Sequence, residues 1–414
     1  MIAMASTGLT GQGESKPVPS SGVYTERGGA GRMAKLWRNR IEFYPFFAIY
    51  FFWLNTALTS LQVKNRPGIV ALGLVTIPSL VLITIATIKT YREILSSRFQ
   101  DGMITFHPFK YAAKNSLEGR RYIRWAYGIV IGVILVSTYL HHWQPQVLNV
   151  PSNRDVTAWK NPTFETSAVY QRATQKEREE ILANGVPNSS LREQFSIDLI
   201  GIILGLLCFL HCRKTFGFWM ASCFLLGSFI YTGLEESMWI LIGRFFTTKG
   251  TYWFTKGFFW FFETPVMACI GWFYIAYSCV LVAGKVFPNM SLRGRALIGG
   301  LIAMGIDLWC DPVVTSPEII SWVWTSGDIL NVFGIPHTNF IGWFLLIFIF
   351  ALFWEGYLPR WEIRWGRNKA ATVLLVSLFG TKLGILVGFI VWSIILSILF
   401  TIFLGGAVHL PPGW

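Results

Sequence analysis

The feature that most constrains this chain is its succession of long apolar runs. The hydrocarbon core of a bilayer is about 30 Å thick, and a helix crosses it with roughly 20 apolar residues. Runs near that length recur at about 42–61, 68–88, 125–140, 197–212, 217–242, 257–283, 296–312, 339–356 and 371–404. Hydrocarbon offers no partner to a bare peptide group, so each run must satisfy its backbone internally, as a helix does. A composition that is 53% hydrophobic and 14% charged agrees. The expected fold class is all-α, a polytopic membrane helix bundle of about nine transmembrane helices.

The runs divide the chain. Residues 1–30 are rich in Gly, Ser and Thr, lack an apolar signal-peptide core, and are expected to be a disordered tail. Residues 31–140 carry three spans and form an N-terminal extension. Residues 141–196 are a polar extramembrane loop, too short for a catalytic domain and better suited to a cap. Within it, TQKEREEILANG (174–185) predicts a short solvated helix stopped by Gly185. Residues 197–414 hold the remaining spans. The last, 371–404, reads as one long helix or as two pieces broken at Gly380–Gly384.

The net charge of +13 would suggest nucleic acid on a soluble protein. Here most of the Lys and Arg flank apolar runs, so anionic lipid headgroups are the expected partner and no nucleic acid is implied. With the N-terminus placed in the cytoplasm, the inner connections hold the basic clusters around Arg32–Arg40, Lys89–Arg124 and Arg360–Lys369, while 313–338 holds none. This orients the chain as a multi-pass protein of the cell (inner) membrane, with 313–338 on the far side.

The six cysteines have no paired zinc spacing and read as small core residues, Cys208 and Cys212 beside His211 included. His141-His142 reads as an interfacial pair, since no third ligand lies nearby. No metal site is expected.

Chemistry concentrates in DLWCDPVVTSPEIISWVWTSGDILNVFGIPHTNFIGW, Asp307 to Trp343. Intramembrane carboxylates are costly and mark function by default. Asp307 and Asp311 are four apart and share a helix face, and Pro312 ends or kinks that helix. Glu235 and Glu236 sit deep in another apolar run, about 100° apart around it, so one of them faces the bundle. A buried glutamic acid held neutral is a proton donor. Glu263, two turns into the 257–283 run, is a second candidate. It either joins the site or satisfies carbonyls freed by Pro265. Asp328 reads as a turn or N-cap residue. Trp322 and Trp324 offer π-faces to a developing carbocation.

The ordered set Asp307-x3-Asp311-Pro312, Trp322-x-Trp324 and GIPHTNFIGW (Gly334 to Trp343) resembles the carotenoid biosynthesis integral membrane protein family, which includes the bacterioruberin and γ-carotene ψ-end hydratases. A glutamate in the preceding span, Gly250-x-Tyr252-x-Phe254, Pro265-Val266, Gly271-Trp272-Phe273 and Tyr277 extend the resemblance. It covers roughly 200–404, and residues 1–196 fall outside it. The resemblance implies a hydro-lyase that hydrates the terminal (ψ-end) C=C of an acyclic carotenoid with no cofactor. One carboxyl group protonates the alkene, and another activates water. Asp307 or Asp311 is implied as one partner, and Glu236 or Glu263 as the other. Asn339 would orient water, and Tyr252, Trp322, Trp324 and Trp343 would hold the polyene. A long polyene substrate, membrane lipids and other pathway enzymes are the implied partners. Two other readings stand beside this one. A prenyltransferase-like lipid enzyme would use the DxxxD with Mg²⁺, but a second acidic cluster is missing. A non-enzymatic carotenoid-binding, lipid-binding or transport protein is the other. A transporter would show repeats with broken helices, and none relates 41–140 to 197–404.

Overall fold

The structure is a computed structural model that describes residues 29–64, 66–96, 119–148, 165, 167–187, 189–246, 252–324 and 329–410. The tail expected over 1–30 lies almost wholly outside the described residues, as does Asp328.

The chain begins with α1 (Gly29–Arg38), a 3-10 turn (Arg40–Phe43) and α2 (Tyr44–Ser60). Helices α3 (Arg66–Val75) and α4 (Ile77–Leu95) form a pair bent by 42°. They are followed by α5 (Arg120–Trp143), α6 (Pro145–Leu148), α7 (Ala168–Arg172) and α8 (Gln175–Asn184). The solvated helix expected before Gly185 is α8, which Thr174 and Glu177 start with a capping box. The same device, Ser190 with Glu193, starts α9 (Leu191–Phe216). Gly217, at φ 88°, supplies the left-handed turn into α10 (Phe218–Ser228). A π-helical turn (Phe229–Gly233) then leads into α11 (Leu234–Phe246).

Here the structure departs from the expected 257–283 span. Residues 252–265 are extended, as β1 (Tyr252–Phe254), β2 (Trp260–Phe261) and β3 (Thr264–Pro265), and the helix α12 starts only at Val266 and runs to Val286. Glu263 therefore sits in the β2–β3 turn and not on an apolar helix. Hydropathy cannot see this, because the hairpin is as apolar as the helix it leads into. α13 (Leu292–Val314) carries Pro312 inside it and continues for two residues beyond it. A second extended segment follows, with β4 (Trp322–Trp324), β5 (Leu330–Val332) and β6 (Ile335–Pro336). Next come α14 (His337–Ala351), a π-helical turn (Leu352–Tyr357) and α15 (Leu358–Trp365). The expected last run is one helix, α16 (Arg367–Leu404), and β7 (Val408–Leu410) pairs in parallel with β5.

The protein is an all-α polytopic bundle. Among the described residues seven helices are long and apolar enough to cross a membrane, or up to eight if the bent α3–α4 pair is one span. Nine were expected; α2, with 17 residues, lies at the lower limit of spanning length. Helix α12 is the hub, packed by α2, α4, α9 and α13. α16 runs along the periphery with most of its apolar surface outward.

Two halves of the membrane domain repeat each other. Each has a helix, an extended segment and a second helix: α11–β1β2β3–α12 and α13–β4β5β6–α14. Pro265 and Pro336 cap the second helices with nearly the same backbone, φ −59° and ψ 139° or 137°. Phe262 and Phe333, three residues before those prolines, both adopt the left-handed region at φ 53° and 52°. Ile270-Gly271-Trp272-Phe273 matches Ile341-Gly342-Trp343-Phe344. β1 and β4 pair antiparallel across the junction, with Trp253 opposite Val323 at the centre.

Irregular backbone at a membrane face needs outside partners. Helix α5 supplies many of them to the first extended segment. Ser137 and Thr138 hydroxyls accept from the N–H groups of Phe262 and Trp260, both at 3.0 Å. His141 Nε2 donates to the Phe262 carbonyl at 2.8 Å, and His142 Nε2 to the Phe258 carbonyl at 2.7 Å. The histidine pair thus clamps the first extended segment.

Candidate functional site

The two repeats enclose a cavity of about 370 Å³ under the paired β1 and β4 strands, a size usual for small-molecule pockets (~300–1,000 Å³). Its walls come from α2, α9, α11, α12, α13 and α14.

Asp311 and Asn339 reach it from α13 and α14, and Glu236 from α11. Asn339 stands in the first turn of α14, where the Gly334-Ile335-Pro336 turn delivers it to the end of α13. Its Nδ2 donates to both aspartates, at 2.9 Å to Asp307 Oδ2 and 2.6 Å to Asp311 Oδ2. Both aspartates are buried, Asp307 at 0% and Asp311 at 1% exposed, while Asn339 is half-buried. Asp307 stands behind Asp311 and does not line the cavity. Its Oδ1 is buried and has no hydrogen-bond donor among the described residues. Its side-chain donor among the described residues is Asn339 Nδ2.

The adjacent glutamates divide as their 100° separation requires. Glu236 faces the cavity. Glu235 faces α16, where Lys382 Nζ lies 2.8 Å from its Oε2 and Trp239 Nε1 donates to its Oε1 at 3.1 Å. Lys382 also stands 4.5 Å over the Tyr231 ring. The π-helical turn just before α11 shifts the helical register there, and such turns often mark functional positions.

The aromatic lining is shared between the repeats. Trp272 and Trp343 stack with centroids 4.1 Å apart. Tyr252 stacks on Trp324 at 4.4 Å, and Trp322 meets Phe254 edge-on at 5.8 Å. These six rings line the cavity, so five substrate-contact candidates, Tyr252, Trp322, Trp324, Asn339 and Trp343, come together on one wall system. Glu263 does not join them. It is buried in the β2–β3 turn, with its backbone N–H on Ser237 Oγ at 3.2 Å.

Several residues at the site were missed in the sequence. Asp198 on α9 lines the cavity, and its Oδ2 accepts from the N–H groups of Phe258 and Phe259 at 3.1 and 2.7 Å. Lys256 lines it too and donates to the Ile319 carbonyl; burial pushes its amine down to about 8. Arg172 on α7 donates to the Pro312 carbonyl at 3.2 Å and to Thr315 Oγ1 at 3.3 Å, and so holds the end of the acid-bearing helix; burial pushes it down to about 9. The signal for Asp198 and Lys382 was present, since each is an isolated charge in an apolar run. Nothing in the sequence marked Arg172.

Among the described residues no group of three or more His, Cys, Asp or Glu is placed to hold a metal ion. All six cysteines are buried and free.

The family model described as carotenoid biosynthesis protein matches residues 197–408. No curated protein and no solved structure matches the chain.

Proposed function

The chain belongs to the carotenoid biosynthesis protein family, and from that premise we propose that it adds water to the terminal ψ-end double bond of an acyclic carotenoid. What carries this reading is the meeting of Glu236, Asp311 and Asn339 on one aromatic-walled cavity in a membrane bundle. An apolar pocket with a few converging polar groups suits a long hydrocarbon whose end alone reacts.

In the proposed step, a carboxylic acid of the Asp307–Asp311 pair gives its proton to the less substituted alkene carbon. The π electrons form the new C–H bond and leave a tertiary cation on the neighbouring carbon. The faces of Trp272 and Trp343 stabilise it. A water oxygen then bonds to the cation, and the proton it sheds goes to the carboxylate of Glu236, from which it returns through cavity water to the aspartate pair and restores the acid. The balance is alkene plus water to tertiary alcohol, with no electrons transferred. A proton held between Asp307 and Asp311 also answers the unpartnered Asp307 Oδ1. Asn339 fixes both carboxyl groups in place. In this reading the protein is a carotenoid hydratase of the cell membrane, with its N-terminus in the cytoplasm and the cavity in the outer half.

The test is pigment analysis. Expressed in a bacterium that accumulates lycopene, the protein is expected to yield a more polar pigment heavier by one water. Unchanged lycopene, with the protein verified in the membrane and a C50 acyclic carotenoid also unchanged, overturns the reading.

A further inference from the structure

A hydratase buried among aromatic rings needs a supply of water, and none of the residues discussed so far provides one. Helix α2 has the means. It lies in the N-terminal segment, outside the 197–408 match, yet it contributes Phe51, Phe52, Asn55, Thr56, Thr59 and Gln62 to the cavity wall. These divide by height. Phe51 and Phe52 stand lower on the helix. Asn55 and Thr59 follow one turn apart, and Gln62 sits in the turn just past the helix end, where its N–H bonds the Thr59 carbonyl at 2.9 Å. One strip of α2 therefore passes from aromatic to polar toward the membrane face that carries the β strands.

Polar side chains in a spanning helix are costly unless something satisfies them. Thr56 is satisfied by its own helix, donating to the Phe52 carbonyl at 3.1 Å. Asn55 and Gln62 are exposed and Thr59 is half-buried on the open side of the cavity, and none of the three makes a side-chain hydrogen bond among the described residues. Across the cavity, Gln194 of α9 gives a second, independent sign. It is 2% exposed and its Nε2 donates to the Ser189 carbonyl at 2.7 Å, but its Oε1 is buried with no partner. A buried acceptor of this kind calls for an ordered donor.

We propose that Asn55, Thr59 and Gln62 of α2, with Gln194 of α9, form a hydrated lane that carries water from the membrane surface into the cavity and toward Asp311 and Asn339. This rests on the hydratase reading for its purpose but not for its existence. The lane is built of amides and a hydroxyl, which bind water without holding a charge that would compete with the reacting acids. Phe51 and Phe52 end it on the side where the polyene would lie.

Thiol accessibility tests the lane apart from any reaction. The six native cysteines are buried, but Cys310 lines the cavity, so the variants are made in a Cys310→Ala chain, whose own labelling supplies the background. Asn55→Cys, Thr59→Cys and Gln62→Cys are each treated in intact membranes with a charged, membrane-impermeant thiol reagent. Leu54→Cys, which is exposed about 100° around α2 from Asn55 and outside the cavity lining, reports the surface away from the lane. Labelling after denaturation confirms that each protein is present. The expected result is labelling at 55, 59 and 62 and none at 54. No labelling at 55, or equal labelling at 54, overturns the lane. In a second arm, Asn55→Leu/Thr59→Val is compared with the unaltered protein in water enriched in ¹⁸O. The variant is expected to form labelled alcohol about tenfold more slowly, the loss of one productive hydrogen bond. An unchanged rate overturns the lane. Absence of labelled alcohol from the unaltered protein would instead count against the hydratase reading, and the thiol result would stand by itself.

Discussion

The Trp272 and Trp343 indoles stack with centroids 4.1 Å apart and planes tilted by 39°. They occupy the same place in the two Ile-Gly-Trp-Phe repeats, so the duplication brings one aromatic pair to the cavity lining. A cation formed against the free face of either ring, as the proposed step requires, would gain by about 2 kcal/mol when it is desolvated. Trp272→Leu and Trp343→Leu are each expected to slow formation of the hydrated pigment by about tenfold or more. Substrate uptake should change less, which a bound-carotenoid assay in purified protein would check. Equal losses in binding and turnover would assign the pair to packing alone.

The acids separate by position. Asp311→Asn and Glu236→Gln remove groups that face the cavity, and each is expected to lower the rate by roughly 10²–10⁴-fold, the usual worth of a general acid or base. Asp307→Asn and Asn339→Leu should follow Asp311→Asn, because a single amide nitrogen holds both aspartates. Glu263→Gln should keep most of the activity, since its carboxyl lies in the β2–β3 turn outside the cavity lining. A loss at Glu263 as deep as that at Glu236 would move the chemistry.

How much of this was legible in the sequence depends on which signal each part sends. Helices announce themselves by apolar length, so α5, α9, α13 and α16 fall close to where hydropathy puts them. Asp307, Asp311 and Asn339 stood out because polar groups are rare at membrane depth. The β1–β3 segment did not, because Trp260, Phe261 and Phe262 are as apolar as the helix they lead into; only Gly257 and Pro265 hinted at a break. The repeat was also readable, in Phe262 and Phe333, Pro265 and Pro336, Trp272 and Trp343. Its two copies lie within the membrane domain, so a comparison of the N-terminal and C-terminal spans misses it. The role of α2 was not legible, since which face of a helix meets a cavity is decided by its neighbours.

Glu235 and Lys382 form an ion pair between α11 and α16, with the lysine side chain 4% and the glutamate side chain 18% exposed. Removing one charge strands the other, at a cost of about 3–5 kcal/mol. Lys382→Met alone is expected to lower the thermal midpoint in detergent by several degrees. Glu235→Gln/Lys382→Met should recover most of it, because a pair removed together leaves no orphan charge. Additive losses in this double-mutant cycle would show that the two residues do not act as a pair.

Lys256 gives stability a pH dependence of known sign. Burial holds its amine at about 8 in the folded protein, below the ordinary value of 10.5. Between those values the unfolded chain binds more protons, so stability rises with pH from about 8 toward 10.5, by up to roughly 3 kcal/mol. Thermal midpoints across pH 7.5 to 10 are expected to climb in the unaltered protein and to climb less in Lys256→Met. Parallel curves would remove Lys256 as the cause.

The N-terminal extension is tied to the matched domain at the other end of α2 as well. Glu42, in the turn before α2, accepts from His211 Nε2 at 3.2 Å and pairs with Lys214 at 3.0 Å, while Tyr277 bonds His211 Nδ1 at 2.7 Å. Burial pushes the Glu42 carboxyl up, but the hydrogen bonds and charges of His211 and Lys214 outweigh it and hold it at about 2. A carboxyl lowered in this way stabilises the fold above about pH 4.5 and loses that contribution as pH falls toward 2, roughly 3 kcal/mol in all. Glu42→Gln should therefore lower the thermal midpoint at pH 7 and flatten its fall below pH 4.5. Since α2 hangs from this anchor and also walls the cavity, deleting residues 1–65 is expected to abolish the hydrated pigment even though the 197–408 segment is untouched. Full activity in that truncation would mean that the matched segment closes the cavity without α2.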